Sequence, residues 1–186
     1  MSEKIAWRRL DTPGHESAEL TRTDGWMLKG RAVFNHEGGP ADLAYEIQCD
    51  ADWLTLSTSV IGTVGEQVID IELLRNHAGE WSVNGSKVWE VTGCDDIDLN
   101  FSPSTNMLPI RRLKLNVGES AEVRAAWLRF PSFALEPFAQ TYTRLAEDLY
   151  LYESAGGEFR RELTVDADGF VLDYPGLWLA EILPPH

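Results

Sequence analysis

The sequence predicts an all-β fold built mainly from antiparallel strands. Apolar residues alternate with period two along most of the chain, turn-forming Gly, Asp, Asn and Pro recur at short intervals, and helical periodicity is scarce. The 186 residues, 44% hydrophobic and 25% charged, fit one globular domain spanning 1–186. A domain of this size can bury a core without the help of a metal or a disulfide.

The segments 43–49 and 120–128 have the alternation that is typical of a half-buried strand. In the first segment, one face holds Leu43, Tyr45, Ile47 and Cys49. In the second, the inward face holds Ala121, Val123, Ala125 and Trp127. Each segment is therefore predicted to place one face in the core and the other in water. The other strands predicted in this part of the chain are 16–22, 26–34, 54–60, 67–75, 80–83 and 87–91.

Two hairpins are predicted from their turn residues. The segment 158–174 alternates up to residue 165, turns at Asp166-Ala167-Asp168-Gly169 and then becomes extended again. Asn84-Gly85 lies between two short alternating runs and favours a type I′ turn. The segment 139–148 has some helical spacing, but its Thr-Tyr-Thr run favours a strand.

A sheet of many short antiparallel strands must protect its edges, and a barrel or a sandwich is the usual solution. The Pro-containing segments 101–109 and 130–137 interrupt the strand pattern and are predicted to be loops inside the domain. An Asp-Ala-Asp sequence follows predicted strands twice, at 50–52 and at 166–168. We interpret this repetition as chance.

The net charge of the chain excludes some classes of binding partner. The chain has 16 Lys and Arg against 30 Asp and Glu, which gives a formal net charge of −14. Such a surface repels phosphate backbones and anionic lipid leaflets, so we expect neither nucleic-acid binding nor membrane insertion. The same charge also simply keeps a protein soluble.

The sequence contains neither the apolar core of a signal peptide nor an apolar run long enough to span a membrane, so we expect a cytoplasmic protein. Cys49 and Cys94 do not form a CxxC pair, and we expect both to be small buried hydrophobes rather than zinc ligands. We therefore predict no cofactor and no metal site.

Acidic and histidine residues offer weak candidates for chemistry. Asp95, Asp96 and Asp98 could hold a hard cation such as Ca²⁺, but a strand would place only two of them on one face, and a solvated turn is favoured. His15 and Glu16 could act as acid and base, yet neighbours on a strand point to opposite faces. The other histidines, His36, His77 and His186, are expected to be exposed.

Aromatic residues make up 10% of the chain, and six tryptophans fall on or beside predicted strands. Such rings either fill a core or line a concave apolar site. The segment 102–113 is also unusual, because it places Arg111 and Arg112 after an apolar Leu-Pro-Ile in a protein with few cations. Each arginine either pairs with an internal Asp, for example in the cluster at 95–98, or faces the polar head of a ligand.

Several motifs together resemble the bacterial glycolipid-binding family, formerly a domain of unknown function. The matching positions cover nearly the whole chain. They are Trp7, Asp11, Gly14-His15-Glu16, Gly30, Tyr45-x-x-x-Cys49-Asp50-x-x-Trp53, Trp81-x-x-x-Gly85, Gly93-Cys94-x-x-Asp98-Leu99, Thr105-Asn106-x-Leu108-Pro109-Ile110-Arg111-Arg112-Leu113, Gln140-x-Tyr142 and Val165-Asp166-x-Asp168-Gly169-x-Val171-x-x-Tyr174-Pro175. The resemblance implies a curled β-roll or half-barrel, similar to the lipoprotein carriers of the localisation-factor type, and glycolipid or lipid binding.

Our leading hypothesis is a non-enzymatic protein that holds an amphipathic ligand in the concave face of a curled sheet. The residues predicted to contact the ligand are Trp53, Trp81, Trp89, Trp127, Tyr45, Tyr142, Asn106, Arg111 and Arg112. The alternative is a small enzyme acting on a sugar- or lipid-like substrate through two carboxylates, or through His15 and Glu16. Facing carboxyl groups with raised pKa inside a pocket would favour the enzyme, whereas an aromatic and aliphatic pocket would favour the binding protein.

Overall fold

The computed structural model describes residues 2–181, which form one 15-stranded sheet. The strands of the first half are β1 (Ser2–Arg9), β2 (Gly14–Arg22), β3 (Trp26–Phe34), β4 (Ala41–Cys49), β5 (Thr55–Val64), β6 (Gln67–Arg75), β7 (Trp81–Val83) and β8 (Ser86–Val88). The strands of the second half are β9 (Ile97–Leu99), β10 (Ser120–Arg129), β11 (Ala134–Ala146), β12 (Leu149–Ser154), β13 (Phe159–Val165), β14 (Val171–Tyr174) and β15 (Trp178–Glu181). One α-helix, α1 (Met107–Leu113), lies between β9 and β10.

The sheet consists of two meanders joined side by side. Strands β1 to β8 pair in sequence order, β10 to β15 do the same, and β1 pairs with β15 to unite the two halves. All pairings are antiparallel except that of β9 with β10. This confirms the predicted all-β, mainly antiparallel class.

The sheet is open rather than closed. Its edge strands are β8 and β9, and they do not pair with each other. After β8 the chain makes a 3-10 turn at Trp89–Val91 and then enters β9, which pairs in parallel with β10. The expected β-roll or half-barrel is therefore corrected to a single open sheet with two edges.

Most of the predicted strands and both hairpins are confirmed. The predicted strands 26–34, 67–75 and 159–165 match β3, β6 and β13. Asn84 and Gly85 both have positive φ, 46° and 79°, as a type I′ turn requires. The segment 139–148 belongs mainly to strand β11, as its Thr-Tyr-Thr run suggested.

The segment 101–113, here called the inner segment, differs most from its prediction. Residues 101–109 are predicted to be a loop, but the segment contains a 3-10 turn at Ser104–Asn106 followed by α1. Every residue from 101 to 110 is buried, and the segment contacts the inner face of the sheet through Ser102, which bonds to Glu16, and Ser104, which bonds to Tyr45. The concave face that was expected to hold a ligand is thus occupied here by the protein's own chain.

Candidate functional site

A cleft of about 640 Å³ opens at one end of the sheet, a size that is ordinary for a small-molecule site. Four hairpin turns reach this end, those between β2 and β3, β4 and β5, β11 and β12, and β13 and β14. The C-terminal end of α1 completes the wall. We call this space the end cleft, and the residues of its wall that matter most are Arg22, Trp26, Trp53, Arg111, Lys114 and Arg144.

Two stacked indoles form one side of the end cleft. The rings of Trp26 and Trp53 lie 4.4 Å apart with 19° between their planes. Trp53 is almost completely buried, whereas Trp26 is half-buried, so Trp26 is the ring that a ligand can reach. The Nε1 of Trp26 is itself buried and has no hydrogen-bond partner among residues 2–181. Buried donors normally have a partner, so this unpaired N–H is unusual, and it is the exposed part of the ring that a ligand can contact.

The two arginines next to the stack differ in mobility. The guanidinium of Arg22 lies 4.4 Å from the Trp26 ring centre, but the side chain is exposed and can rotate away. The guanidinium of Arg111 lies 5.1 Å from the Trp53 ring centre and is half-buried. Contacts of a cation with an aromatic face are attractive, so Trp53 helps to fix Arg111 in the cleft wall.

Trp53 has a backbone conformation that is rare for a bulky residue. Its φ is 71°, in the left-handed region, which costs an L-residue roughly 1–2 kcal/mol. The turn around it is held by Asp50, whose Oδ1 accepts hydrogen bonds from the backbone N–H of Asp52 and Leu54, both at 2.9 Å. Such strain persists only where surrounding contacts enforce it, and it is concentrated at functional sites.

A second turn repeats this geometry on the other side of Arg111. The Oδ1 of Asp166 accepts hydrogen bonds from the N–H of Asp168 at 3.0 Å and of Phe170 at 2.9 Å. Gly169 has φ of 91° at the position that corresponds to Trp53. The two Asp-Ala-Asp sequences that we interpreted as a chance repetition therefore fold into equivalent turns at the same cleft.

Gly169 gives Arg111 room to lie between the two turns. A Cβ atom at residue 169 would come within 3.2 Å of the Arg111 Cδ atom. In this position Arg111 donates one long hydrogen bond, of 3.3 Å, from Nη1 to the carbonyl of Ala167. Its remaining guanidinium N–H groups are available to a ligand.

The end cleft has an unusual concentration of unpaired cations for so acidic a protein. Of the 16 Lys and Arg residues, nine have a carboxylate within 4.0 Å in residues 2–181. Four of the other seven line the cleft, namely Arg22, Arg111, Lys114 and Arg144. Glu147 and Asp166 also line it but form no ion pair of this kind.

Arg144 contributes its charge from a fixed position. Its guanidinium donates to the carbonyls of Ala146 at 3.2 Å, Leu115 at 2.8 Å and Glu147 at 2.6 Å. These bonds hold the loop after α1 against the turn between β11 and β12. Because they use most of its donors, Arg144 is suited to attract an anion rather than to bind it directly.

Of the nine residues predicted to contact a ligand, only Trp53 and Arg111 line the end cleft. Trp81 is buried and donates from Nε1 to the carbonyl of Cys94, while Trp89 is 64% exposed. Trp127 stacks on Phe138 at 4.6 Å from a half-buried position on β10.

Of three further predicted contacts, Tyr45 and Tyr142 lie under the inner segment and Asn106 belongs to it. Asn106 is buried and donates from Nδ2 to the Tyr142 hydroxyl at 2.9 Å. Tyr45 is buried and donates to Glu16 at 2.6 Å. Gly30 faces Tyr45 across the strand pair, and a Cβ atom there would fall 2.2 Å from the tyrosine oxygen. The absence of a side chain at Gly30 therefore lets the Tyr45 ring cross the inner face to Glu16.

Arg112 pairs with an internal Asp and does not face the cleft. This is one of the two alternatives predicted for each arginine. Its Nε donates to Asp96 Oδ1 at 3.0 Å, and Nη2 bonds the second oxygen of the same carboxylate. Asp95 pairs with Arg75 at 2.9 Å, so the acidic cluster is largely neutralised by arginines. No group of three His, Cys, Asp or Glu side chains within residues 2–181 is arranged to hold a metal ion.

Two features are not evident in the sequence: the polar network around Glu16, and the end cleft that brings together Arg22, Trp26, Lys114 and Arg144. In the network, a single oxygen of Glu16 accepts hydrogen bonds from Ser102 and Tyr45. Burial raises the pKa of Glu16 to about 8, although these two bonds and the charge of Arg9 oppose the rise. His15 points to the opposite, exposed face, as predicted.

Asp98 is a second carboxyl group with a raised pKa, and the alternative hypothesis of an enzyme requires two such groups that face each other inside a pocket. Burial raises its pKa to about 6, and its partner is Gln140. Glu16 and Asp98 thus bond to different residues rather than to a shared group. Neither carboxyl group lines the end cleft.

Both cysteines are buried free thiols, as expected. Burial raises the pKa of Cys49 to about 12 and that of Cys94 to about 11, so neither is a reactive thiolate. None of the helices in the described part of the chain has the length and apolar character needed to cross a membrane.

Comparison with known proteins identifies the family. The family model described as "Putative glycolipid-binding" matches residues 4–180. The chain belongs to this family. It is also similar to a DUF1089 family protein, PA1994, from Pseudomonas aeruginosa, whose crystal structure has 34% sequence identity and a TM-score of 0.79. That match covers 88% of this chain and 91% of the other. No curated protein matches the chain.

Proposed function

We propose that this protein binds the sugar headgroup of a glycolipid in the end cleft and catalyses no reaction. The observation that carries the proposal is the indole of Trp26, half-exposed and backed by Trp53, next to the guanidinium of Arg111. The C–H groups of a sugar ring pack well on an aromatic face, and arginine N–H groups donate to its hydroxyl oxygens. The family description favours a ligand of this class.

The lining of the cleft favours the headgroup over the lipid tail. Four cationic side chains surround the opening, and such a wall is a poor environment for an acyl chain. The inner face of the sheet is occupied by buried core side chains and by the inner segment, which leaves the tail outside the sheet. In this proposal the protein holds the glycolipid by its polar end. We also propose that it does so in the cytoplasm.

Trp53 has a supporting part in this proposal. Its ring is almost completely buried between Trp26 and Arg111, so it holds these two groups in place rather than meeting the sugar with a free face. Rigid support of this kind lowers the cost of ordering the site when a ligand binds.

The test is a titration of the protein with a dioctanoyl glycerolipid that carries a glucosyl or a glucuronosyl headgroup, followed by tryptophan fluorescence and calorimetry. Trp26→Leu is expected to weaken binding by about tenfold, since a stacking contact of this size is worth roughly 1–2 kcal/mol. Trp89→Leu, at an exposed tryptophan outside the cleft, is the matched control and should bind normally. Failure to bind either lipid, or normal binding by Trp26→Leu, would refute the proposal.

A further inference from the structure

The cationic side chains of the end cleft indicate the charge of the ligand. In a chain with 30 acidic residues, most lysines and arginines find a carboxylate partner. The end cleft nevertheless gathers four of the seven that have none within 4.0 Å in residues 2–181. The cleft is therefore a local positive region in a protein of net charge −14.

The two acidic residues of the cleft, Asp166 and Glu147, offset only part of the charge of its four cations. Asp166 uses one carboxylate oxygen to hold its own turn, where it accepts the N–H groups of Asp168 and Phe170. Glu147 offers its backbone carbonyl, not its carboxylate, to Arg144. The cationic groups therefore remain available to a negative charge brought by a ligand.

The fixed position of Arg111 suits it to hold such a charge. The guanidinium is planar and lies against Trp53, the Cγ and Cδ atoms lie beside Gly169, and the one hydrogen bond that it makes within residues 2–181 is long. A planar guanidinium presents parallel N–H groups that fit the two oxygens of a carboxylate or phosphate. Lys114 and Arg22 are exposed residues of the same cleft and add charge without a fixed direction.

We infer that the end cleft selects glycolipids with an anionic headgroup, a sugar carrying a carboxylate or a phosphate, with Arg111 as the residue that contacts the anion. Lys114 and Arg22 neutralise the remaining charge, and Arg144 raises the local potential from its fixed position. This inference rests on the proposed function, because it specifies the ligand of the same site.

The experiment compares four dioctanoyl lipids by calorimetry at low and at high salt. Their headgroups are glucosyl, glucuronosyl, phosphoglucosyl and a bare phosphate without sugar. We expect both anionic sugars to bind about tenfold more tightly than the neutral one, the effect of one charge-assisted hydrogen bond. The difference should shrink as salt is added, since exposed charges are screened. The two anionic sugars also distinguish a carboxylate from a phosphate as the preferred group.

Two variants assign the preference to the cleft. Arg111→Gln should remove most of the preference for anionic sugars and should change binding of the neutral lipid much less. Arg8→Gln is the matched control, because Arg8 is exposed, lies outside the cleft and has no carboxylate within 4.0 Å among the residues that the structure describes. Thermal unfolding verifies that each variant is folded, and Lys114→Gln, at an exposed position, replaces Arg111→Gln if that variant is unstable.

The outcomes separate the two ideas. Equal binding of neutral and anionic sugars would overturn the inference and leave the proposed function intact. Binding of none of the sugar lipids would overturn both. Binding of the bare phosphate as tightly as the phosphoglucosyl lipid would retain the anion site but refute recognition of the sugar.

Discussion

Replacing Glu16 by Gln removes an ionisable group from the interior while keeping its size and shape. In the folded protein one oxygen of Glu16 accepts hydrogen bonds from Ser102 and Tyr45, and the other oxygen is buried with no partner in residues 2–181. A glutamine carbonyl can accept the same two bonds. The variant therefore resembles the protonated acid, and the comparison isolates the effect of charge.

Burial raises the pKa of Glu16 from 4.5 to about 8, so the folded protein retains a proton that the unfolded chain releases near pH 4.5. Between these two values the folded state binds more protons than the unfolded state, and stability must fall as pH rises. Below pH 4.5 both states are protonated, and above pH 8 both are ionised, so the slope is confined to this window. At about 1.4 kcal/mol per pKa unit, the whole effect is about 5 kcal/mol.

The assay is urea unfolding of both proteins at pH 5.5 and pH 7.5. From pH 5.5 to pH 7.5 the unfolding free energy of the natural protein should fall by roughly 2–3 kcal/mol more than that of Glu16→Gln. Other titrating groups, including Asp98, contribute equally to both proteins and cancel. Parallel pH dependence in the two proteins would refute the reasoning and would indicate that Glu16 is ionised, with the nearby charge of Arg9 as its counterion.

Two further predictions concern stability. Gly30→Ala should lower the free energy of unfolding by roughly 1–3 kcal/mol, because the added Cβ displaces the Tyr45 ring. Gly38→Ala is the control and should leave that free energy unchanged, because a Cβ there meets only ordinary contacts. Equal urea midpoints for the two variants would contradict this account. Arg112→Leu should cost about 3–5 kcal/mol by leaving the Asp96 carboxylate buried without its partner. Adding Asp96→Asn should restore most of that loss, and additive losses in the double variant would rule out the pairing as the cause.

The two equivalent turns of the end cleft show how one sequence pattern serves two purposes. Both turns use an Asp side chain to cap the backbone, and both require a residue with positive φ three positions later. At residue 169 this residue is Gly, which avoids strain and makes room for Arg111. At residue 53 it is Trp, whose backbone is strained by the positive φ but whose ring supports Arg111.

The positions of most strands and hairpins could be predicted from the sequence alone. Side chains alternate between the faces of a strand, and turn residues such as Asn84-Gly85 act through their own backbone, so both signals are local. The family also followed from the sequence, because its motifs can be compared position by position. The strands that were not predicted, β1, β9, β12 and β15, include three of no more than six residues, in which alternation has little length to show itself.

Which residues form the site depends on how the chain folds in three dimensions. Arg111 and Arg112 are neighbours in sequence, but α1 turns successive side chains by about 100°, so one reaches the end cleft and the other pairs with Asp96. A helix of seven residues gives too few turns for its period to be recognised in the sequence. The end cleft itself is built from four turns that are distant in sequence, and they meet only because the pairing of β1 with β15 unites the two meanders.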